Sequence, residues 1–210
     1  MIWLTDKITF PDYKFTSKEG IIALGGDLSV QRLIFAYKKG IFPWFSEGEP
    51  IVWYCPFDRM VLFPNEIKVS KSMRKIIKKN QFTITENKAF TEVIYNCKTI
   101  HRNDGLGTWI TNDMEEAYIK LHKAGVAKSV EVWLDNNLVG GLYGLEINGM
   151  FCGESMFSKV SNASKLAFIY LAQSKKYRLI DCQVYNTHLA SLGAKEISRD
   201  LFLQILKNNK

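Results

Sequence analysis

The chain has 210 residues, 47% of them apolar, 13% aromatic and 23% charged, with a formal net charge of +7. That is ordinary globular composition, which excludes intrinsic disorder and a fibrous chain, and the aromatics can fill a sizeable core. No run of about 18 apolar residues exists, so a transmembrane helix is excluded.

All five prolines, Pro11, Pro43, Pro50, Pro56 and Pro64, lie in the first 64 residues. This composition break predicts a small, turn-rich N-terminal unit over 1–64 and a regular unit over 65–210. In the first unit, Leu28 to Lys39 reads as a helix that Asp27 or Ser29 can cap and Gly40 can close. An aromatic loop, Gly40-Ile41-Phe42-Pro43-Trp44-Phe45, follows, and Ile51 to Tyr54 is a short strand. In the second unit, Ser70 caps a helix to about Lys79, with Met73, Ile76 and Ile77 as its apolar stripe among lysines. Gln81 to Thr85 alternates as a strand. Phe90, Val93, Ile94 and Cys97 mark the apolar face of a helix. Thr111 caps another, with Asp113 and Glu115 in its first turn and Lys120, His122 and Lys123 in its last, as the helix dipole favours.

Three strands come next, Ser129 to Leu134, Leu138 to Ile147 and Met150 to Phe157, joined at Asp135-Asn136-Asn137 and at the hairpin signal Asn148-Gly149. A helix from Asn162 to about Lys175, a strand from Arg178 to Val184 and a helix from Arg199 to Lys207 complete the order. Antiparallel meander, helix, strand, helix is an α+β arrangement with a mainly antiparallel sheet, the order of GNAT-like acyltransferases.

The charge is uneven. Residues 61–100 carry eight basic and three acidic side chains, and residues 151–210 nine and four. Such segments can form a face for polyanions, or simply a solvated basic surface. The start, Met1 to Lys7, has an acid by position 6 and no long apolar core, so no signal peptide is expected and the expected address is the cytoplasm. Cys55, Cys97, Cys152 and Cys182 form no C-x-x-C pair and read as reduced, mostly buried residues. His101, His122 and His188 show no metal-binding spacing, so no metal is expected.

Two polar features on apolar strands stand out. In Arg178-Leu179-Ile180-Asp181-Cys182-Gln183-Val184, strict alternation puts Asp181 and Gln183 side by side on one face. A buried carboxylate needs a partner or a function; otherwise this is a strand end facing solvent. Glu154, in Phe151-Cys152-Gly153-Glu154-Ser155-Met156-Phe157, is either a satisfied structural carboxylate or a site residue. Gly153 beside it suggests a bulge or a close ligand. Trp44 and Trp109 lie near element ends, where indoles can stack on nucleobases or belong to the core.

The chain closely resembles leucyl/phenylalanyl-tRNA–protein transferases. The resemblance rests on Gly25-Gly26-Asp27-Leu28 with Arg32-Leu33, Ala36-Tyr37, Gly40 to Phe45, Gly107-Thr108-Trp109-Ile110, Ala117-Tyr118 and Leu121-His122. It continues through Ser129 to Trp133, Leu138 to Gly144, Gly153 to Ser158, Asn162 to Lys165, Ile180 to Gln183 and His188 to Ala194. Departures are few: Cys55-Pro56 stands where Ser-Pro is usual, the loop from His101 to Leu106 is slightly longer, and the tail is short.

The resemblance implies a small N-terminal domain, a GNAT-like C-terminal domain and a cofactor-free, metal-free reaction. Leu, Phe and, less readily, Met would pass from aminoacyl-tRNA to acceptor proteins with N-terminal Lys or Arg, marking them for the N-degron pathway. It implies a catalytic pair, Asp181 and Gln183, in which Asp181 would hold the Gln183 amide and balance the ammonium. Trp44 and Trp109 would hold the terminal adenosine, and Lys78 and Lys79 would meet the acceptor stem. Leu142, Met156, Phe168, Leu171 and Ile180 would line the donor pocket, and Glu154 would help seat the basic acceptor residue. A monomer is expected. The rivals are a GNAT-type acetyltransferase, which lacks its glycine-rich loop in Ser158 to Lys165, and a non-catalytic RNA-binding module, which leaves the strand carboxylates unexplained.

Overall fold

The first sheet consists of β1 (Trp3–Leu4), β2 (Ile21–Gly25), β3 (Phe42–Pro43) and β4 (Val52–Tyr54), in the order β1-β2-β4-β3. The computed structural model describes residues 1–100 and 110–208. Between β2 and β3 runs α1 (Val30–Lys38), capped by Ser29, whose hydroxyl accepts from the Arg32 N–H. Asp27 takes the other role open to it and accepts from the Arg32 guanidinium at 3.0 and 3.1 Å. That buried guanidinium also donates to the Thr5 and Lys7 carbonyls, which ties the N-terminal segment to the helix.

Seven strands form the second sheet, in the order β11-β5-β10-β9-β8-β7-β6. They are β5 (Asp58–Leu62), β6 (Thr83–Glu86), β7 (Ala127–Leu134), β8 (Asn137–Ile147), β9 (Met150–Ser158), β10 (Leu179–Gln183) and β11 (Lys195–Ser198). Only β10 and β9 pair in parallel; all other neighbours are antiparallel. The fold is therefore α+β with a mainly antiparallel sheet. The chain changes sheets between Tyr54 and Asp58, ahead of the boundary expected at residue 64. Pro56 lies at that change, whereas Pro64 opens a short 3-10 helix beyond β5, which already belongs to the second sheet.

The helices are α2 (Lys71–Lys79), α3 (Phe90–Thr99), α4 (Asn112–Lys123), α5 (Ala163–Gln173), α6 (Thr187–Ser191) and α7 (Arg199–Lys207). Ser70 caps α2, and Asn80 ends it in the left-handed region at φ 51°. Thr111 and Ser198 cap α4 and α7 in the same way. The two hairpin turns place Asp135, Asn136, Asn148 and Gly149 at positive φ, as type I′ turns require.

One apolar cluster joins the first sheet and α1 to α3, α4 and α7 through Tyr37, Trp53, Tyr118 and Phe202. A second fills the opposite face of the large sheet beneath α2 and α5, with Met73, Phe168, Val132 and Ile180. Helix α5 approaches β8 so closely that a Cβ on Gly140 would lie 2.4 Å from the Ala163 Cβ, so only glycine fits there.

The alternation read for Arg178 to Val184 breaks at its C-terminal end. Asp181 faces Val61 and Gln183 faces Met60, with Cys182 as the extra residue of a bulge. Gln183 has φ 64°, which costs about 1 kcal/mol or more for a residue with a Cβ. Bulges re-aim side chains, and the residues of this one line a cavity.

Candidate active site

A cavity of about 470 Å³ opens where β9 and β10 meet β3 and α6. Leu142, Met156, Phe168 and Ile180 give it an apolar wall; Glu154, Asp181, Gln183 and His188 also line it, and Trp44 stands at its rim. Leu171, expected in this wall, is absent from it. It lies one helical turn beyond Phe168, packed with the second apolar cluster. Trp44 is 42% exposed, with its ring 5.8 Å from that of Tyr54. Trp109 lies outside the described residues. Lys78 and Lys79 are exposed in the last turn of α2, away from the cavity.

Glu154 is the hub of the polar side. Its Oε1 accepts from the Tyr37 hydroxyl at 2.7 Å and from Gln183 Nε2 at 2.8 Å. Its Oε2 is hydrogen-bonded with the Tyr118 hydroxyl at 2.9 Å. The two hydroxyls lie 2.5 Å apart. Tyr37 comes from α1, Tyr118 from α4 and Gln183 from β10, so three elements converge on one carboxyl. Burial pushes that carboxyl up to about 8, against the downward pull of the tyrosine hydroxyls. Burial likewise raises both phenols well above their usual range, with the Glu154 charge adding to it.

Asp181 is fully buried and already paired. Its Oδ1 accepts from Arg59 Nε at 2.7 Å, and its Oδ2 accepts from Arg59 Nη2 at 2.6 Å. Oδ1 also accepts the Gln183 backbone N–H at 2.9 Å. Arg59 donates in addition to the Gly40 carbonyl and lies between the Phe42 and Phe202 rings, 4.6 Å from each centroid. The expectation that Asp181 holds the Gln183 amide is therefore corrected. Glu154 holds the amide, whereas Asp181 holds the bulge backbone, and Arg59 already neutralises its charge.

Gln183 is fixed at both ends. Its backbone N–H is bound by Asp181 and its side-chain N–H₂ by Glu154. Gln183 also lines the cavity, and its Oε1 is a hydrogen-bond acceptor. His188 contributes Nε2, a buried atom without a hydrogen-bond partner among the described residues. Burial and Lys165 hold its pKa below the usual histidine value. Sequence reading missed Arg59, Tyr37 and Tyr118 as members of this network. The signal for Arg59 was the need of a buried Asp181 for a cation, which spacing alone cannot assign.

The family described as leucyl/phenylalanyl-tRNA protein transferase matches residues 61–207, and the N-terminal domain of that family matches residues 26–56. The gap between the matches coincides with the change of sheet. A Flavobacterium johnsoniae protein named leucyl/phenylalanyl-tRNA–protein transferase is 58% identical over 211 residues, covering 99% of this chain and 100% of its own. A protein of the same name from Flavobacterium psychrophilum is 58% identical over 210 residues, with 99% and 100% covered. One from Syntrophus aciditrophicus is 52% identical over 205 residues, covering 96% of this chain and 86% of its own. The protein is thus an enzyme of the transferase class. It belongs to the leucyl/phenylalanyl-tRNA–protein transferase family.

Proposed function

We propose that the protein transfers Leu, Phe and, less readily, Met from aminoacyl-tRNA to the α-amine of an N-terminal Lys or Arg, marking the acceptor for N-degron degradation. The donor side chain enters the apolar wall of Leu142, Met156, Phe168 and Ile180. The acceptor amine has a free pKa of about 7.7–8.0, so part of it is neutral near pH 7. Gln183 Oε1 accepts one of its N–H bonds and aims the nitrogen lone pair at the ester carbon. The C–N bond forms, the bond from the ester carbon to the ribose oxygen breaks, and the amine proton passes to that oxygen. The tRNA ester is already activated, so positioning carries most of the demand. Asp181, with Arg59, is a positioning residue that fixes Gln183.

Trp44 and Trp109 receive the terminal adenosine by stacking, and Lys78 and Lys79 contact acceptor-stem phosphates. Glu154 seats the basic side chain of the acceptor. A monomer is the expected working unit. Charged tRNA is a cytoplasmic substrate, which supports that location.

The observation that carries this reading is the doubly anchored Gln183, which lines a cavity with an apolar wall. The test offers radiolabelled Leu-tRNA, or labelled acetyl-CoA, to an acceptor protein beginning with Lys. Label from Leu-tRNA should reach the acceptor, and label from acetyl-CoA should not. The opposite pattern, or no transfer from either donor, refutes the proposal.

A further inference from the structure

Three oxygen–oxygen contacts close a ring at the floor of the site. Glu154 Oε1 meets the Tyr37 hydroxyl at 2.7 Å, that hydroxyl meets the Tyr118 hydroxyl at 2.5 Å, and Tyr118 meets Glu154 Oε2 at 2.9 Å. Each lies within hydrogen-bond range, and each needs a proton between its oxygens. Two phenols supply only two protons. With Glu154 ionised, both phenols point at the carboxylate and the 2.5 Å contact holds two lone pairs facing each other. A third proton on Glu154 satisfies all three contacts. Oε2–H then donates to Tyr118, Tyr118 to Tyr37, and Tyr37 to Oε1, which also accepts from Gln183.

We propose that Glu154 is protonated in its buried place in the empty site, with Tyr37 and Tyr118 as positioning residues that hold its carboxyl, and that the cationic side chain of the acceptor displaces that proton on docking. This rests on the assignment of Glu154 as the seat of the acceptor's basic residue. The exchange explains selectivity by charge. A neutral acceptor side chain meets a closed, neutral ring whose hydrogen bonds are internally satisfied. A Lys or Arg side chain brings a charge that pairs with the carboxylate left behind. One proton leaves to solvent for each cation that enters, so the floor never holds an uncompensated charge.

The surroundings leave Glu154 as the group that exchanges. On β10, the Asp181 carboxylate is neutralised by Arg59 of β5. The Cys152 thiol on β9 and the Cys182 thiol on β10 are pushed up by burial and remain neutral. Tyr143 on β8 meets Tyr118 edge-on at 5.6 Å. His188, from α6, has its pKa lowered by burial.

The test uses a peptide whose first residue is 6-aminohexanoyl in place of Lys. It keeps the side-chain ammonium and lacks the α-amine, so nothing on the peptide's first residue titrates between about pH 6 and 9. Titration calorimetry in two buffers of different ionisation enthalpy gives its dissociation constant and the protons released. The constant should fall close to tenfold per pH unit below the Glu154 midpoint of about 8 and level off above it, with nearly one proton released at pH 7. Tyr37→Phe and Tyr118→Phe should each move the bend to higher pH, because each removes a donor that favours the carboxylate. Glu154→Gln should bind weakly and independently of pH. A pH-independent constant in the unmodified enzyme, a slope that persists in Glu154→Gln, or an unmoved bend in both tyrosine variants overturns the exchange. Transfer from Leu-tRNA to a Lys-initiated protein is assayed alongside. Transfer together with a pH-independent constant refutes the exchange alone, whereas no transfer at any pH refutes the assignment beneath it.

Discussion

The Arg59–Asp181 pair decides whether Asp181 acts on substrate or on the protein. Arg59→Met keeps much of the side-chain volume between Phe42 and Phe202 but leaves Asp181 buried without its cation. Asp181→Asn leaves the Arg59 charge unbalanced at 2% exposure. Removing one partner of a buried pair costs about 3–5 kcal/mol. In a chain of this size, 1 kcal/mol shifts the melting temperature by about 2–4 °C. Each variant should therefore melt about 6–20 °C lower. The same changes loosen the bulge, because Asp181 Oδ1 binds both Arg59 Nε and the Gln183 N–H. Transfer should fall at least tenfold in kcat for both variants, measured below their melting temperatures, with the KM for Leu-tRNA little changed. A double variant, Arg59→Met with Asp181→Leu, should regain part of the stability but not the rate, since the Gln183 N–H still lacks its acceptor. If Arg59→Met keeps full kcat while Asp181→Asn is inactive, Asp181 acts directly on substrate and the positioning argument fails.

Phe168→Ala should lower kcat/KM for Leu-tRNA more than for Phe-tRNA, because the larger ring still fills part of the enlarged cavity; the misfit is worth about 1–3 kcal/mol. An unchanged ratio with lower overall activity would make Phe168 a core residue only. Lys78→Ala with Lys79→Ala should weaken tRNA binding and flatten its salt dependence, leaving kcat at saturating tRNA nearly intact; an unchanged salt slope would reduce this part of α2 to a solvated face. Folded Glu154 holds its proton up to about 8, whereas the unfolded chain releases it near 4.5. Between those values the unfolded state binds fewer protons, so stability falls as pH rises. The melting temperature should decline from about pH 5.5 to 8 more steeply in the unmodified protein than in Glu154→Gln, and parallel curves would show that Glu154 is ionised throughout.

Local signals were legible wherever a single side chain sets local geometry. Ser70, Thr111 and the Asn148-Gly149 turn each fix an element through a contact within about three residues, and those elements stand close to where the sequence put them. The strands β1, β2, β3, β5 and β11 and the short helix α6 were not anticipated, because segments of two to five residues show little period. The polar network was hidden for a different reason. Arg59 meets Asp181 across 122 positions, and Tyr37 meets Glu154 across 117. Sequence spacing carries no information about such pairs. Asp181 demanded a cation, but any of six arginines and many lysines could have answered. The bulge that turns Gln183 towards Glu154 was equally invisible, since strict alternation is what a strand of this composition suggests.

The site holds two carboxyls, and their partners set them apart. Asp181 is bound by a guanidinium that is itself wedged between two rings, so its charge is paired and its remaining contact holds the Gln183 backbone. Glu154 is bound by two phenols and an amide, which bring hydrogen bonds but no charge. Two acids with divergent environments are the usual mark of divided roles in one site. Both environments depend on the N-terminal unit. Tyr37 comes from α1, and the Gly40 carbonyl that accepts from Arg59 follows it directly. Trp44, at the cavity rim, stands four residues further on. The first sheet and α1 therefore contribute to the cavity and its polar network, and the change of sheet between Tyr54 and Asp58 divides the fold without dividing them.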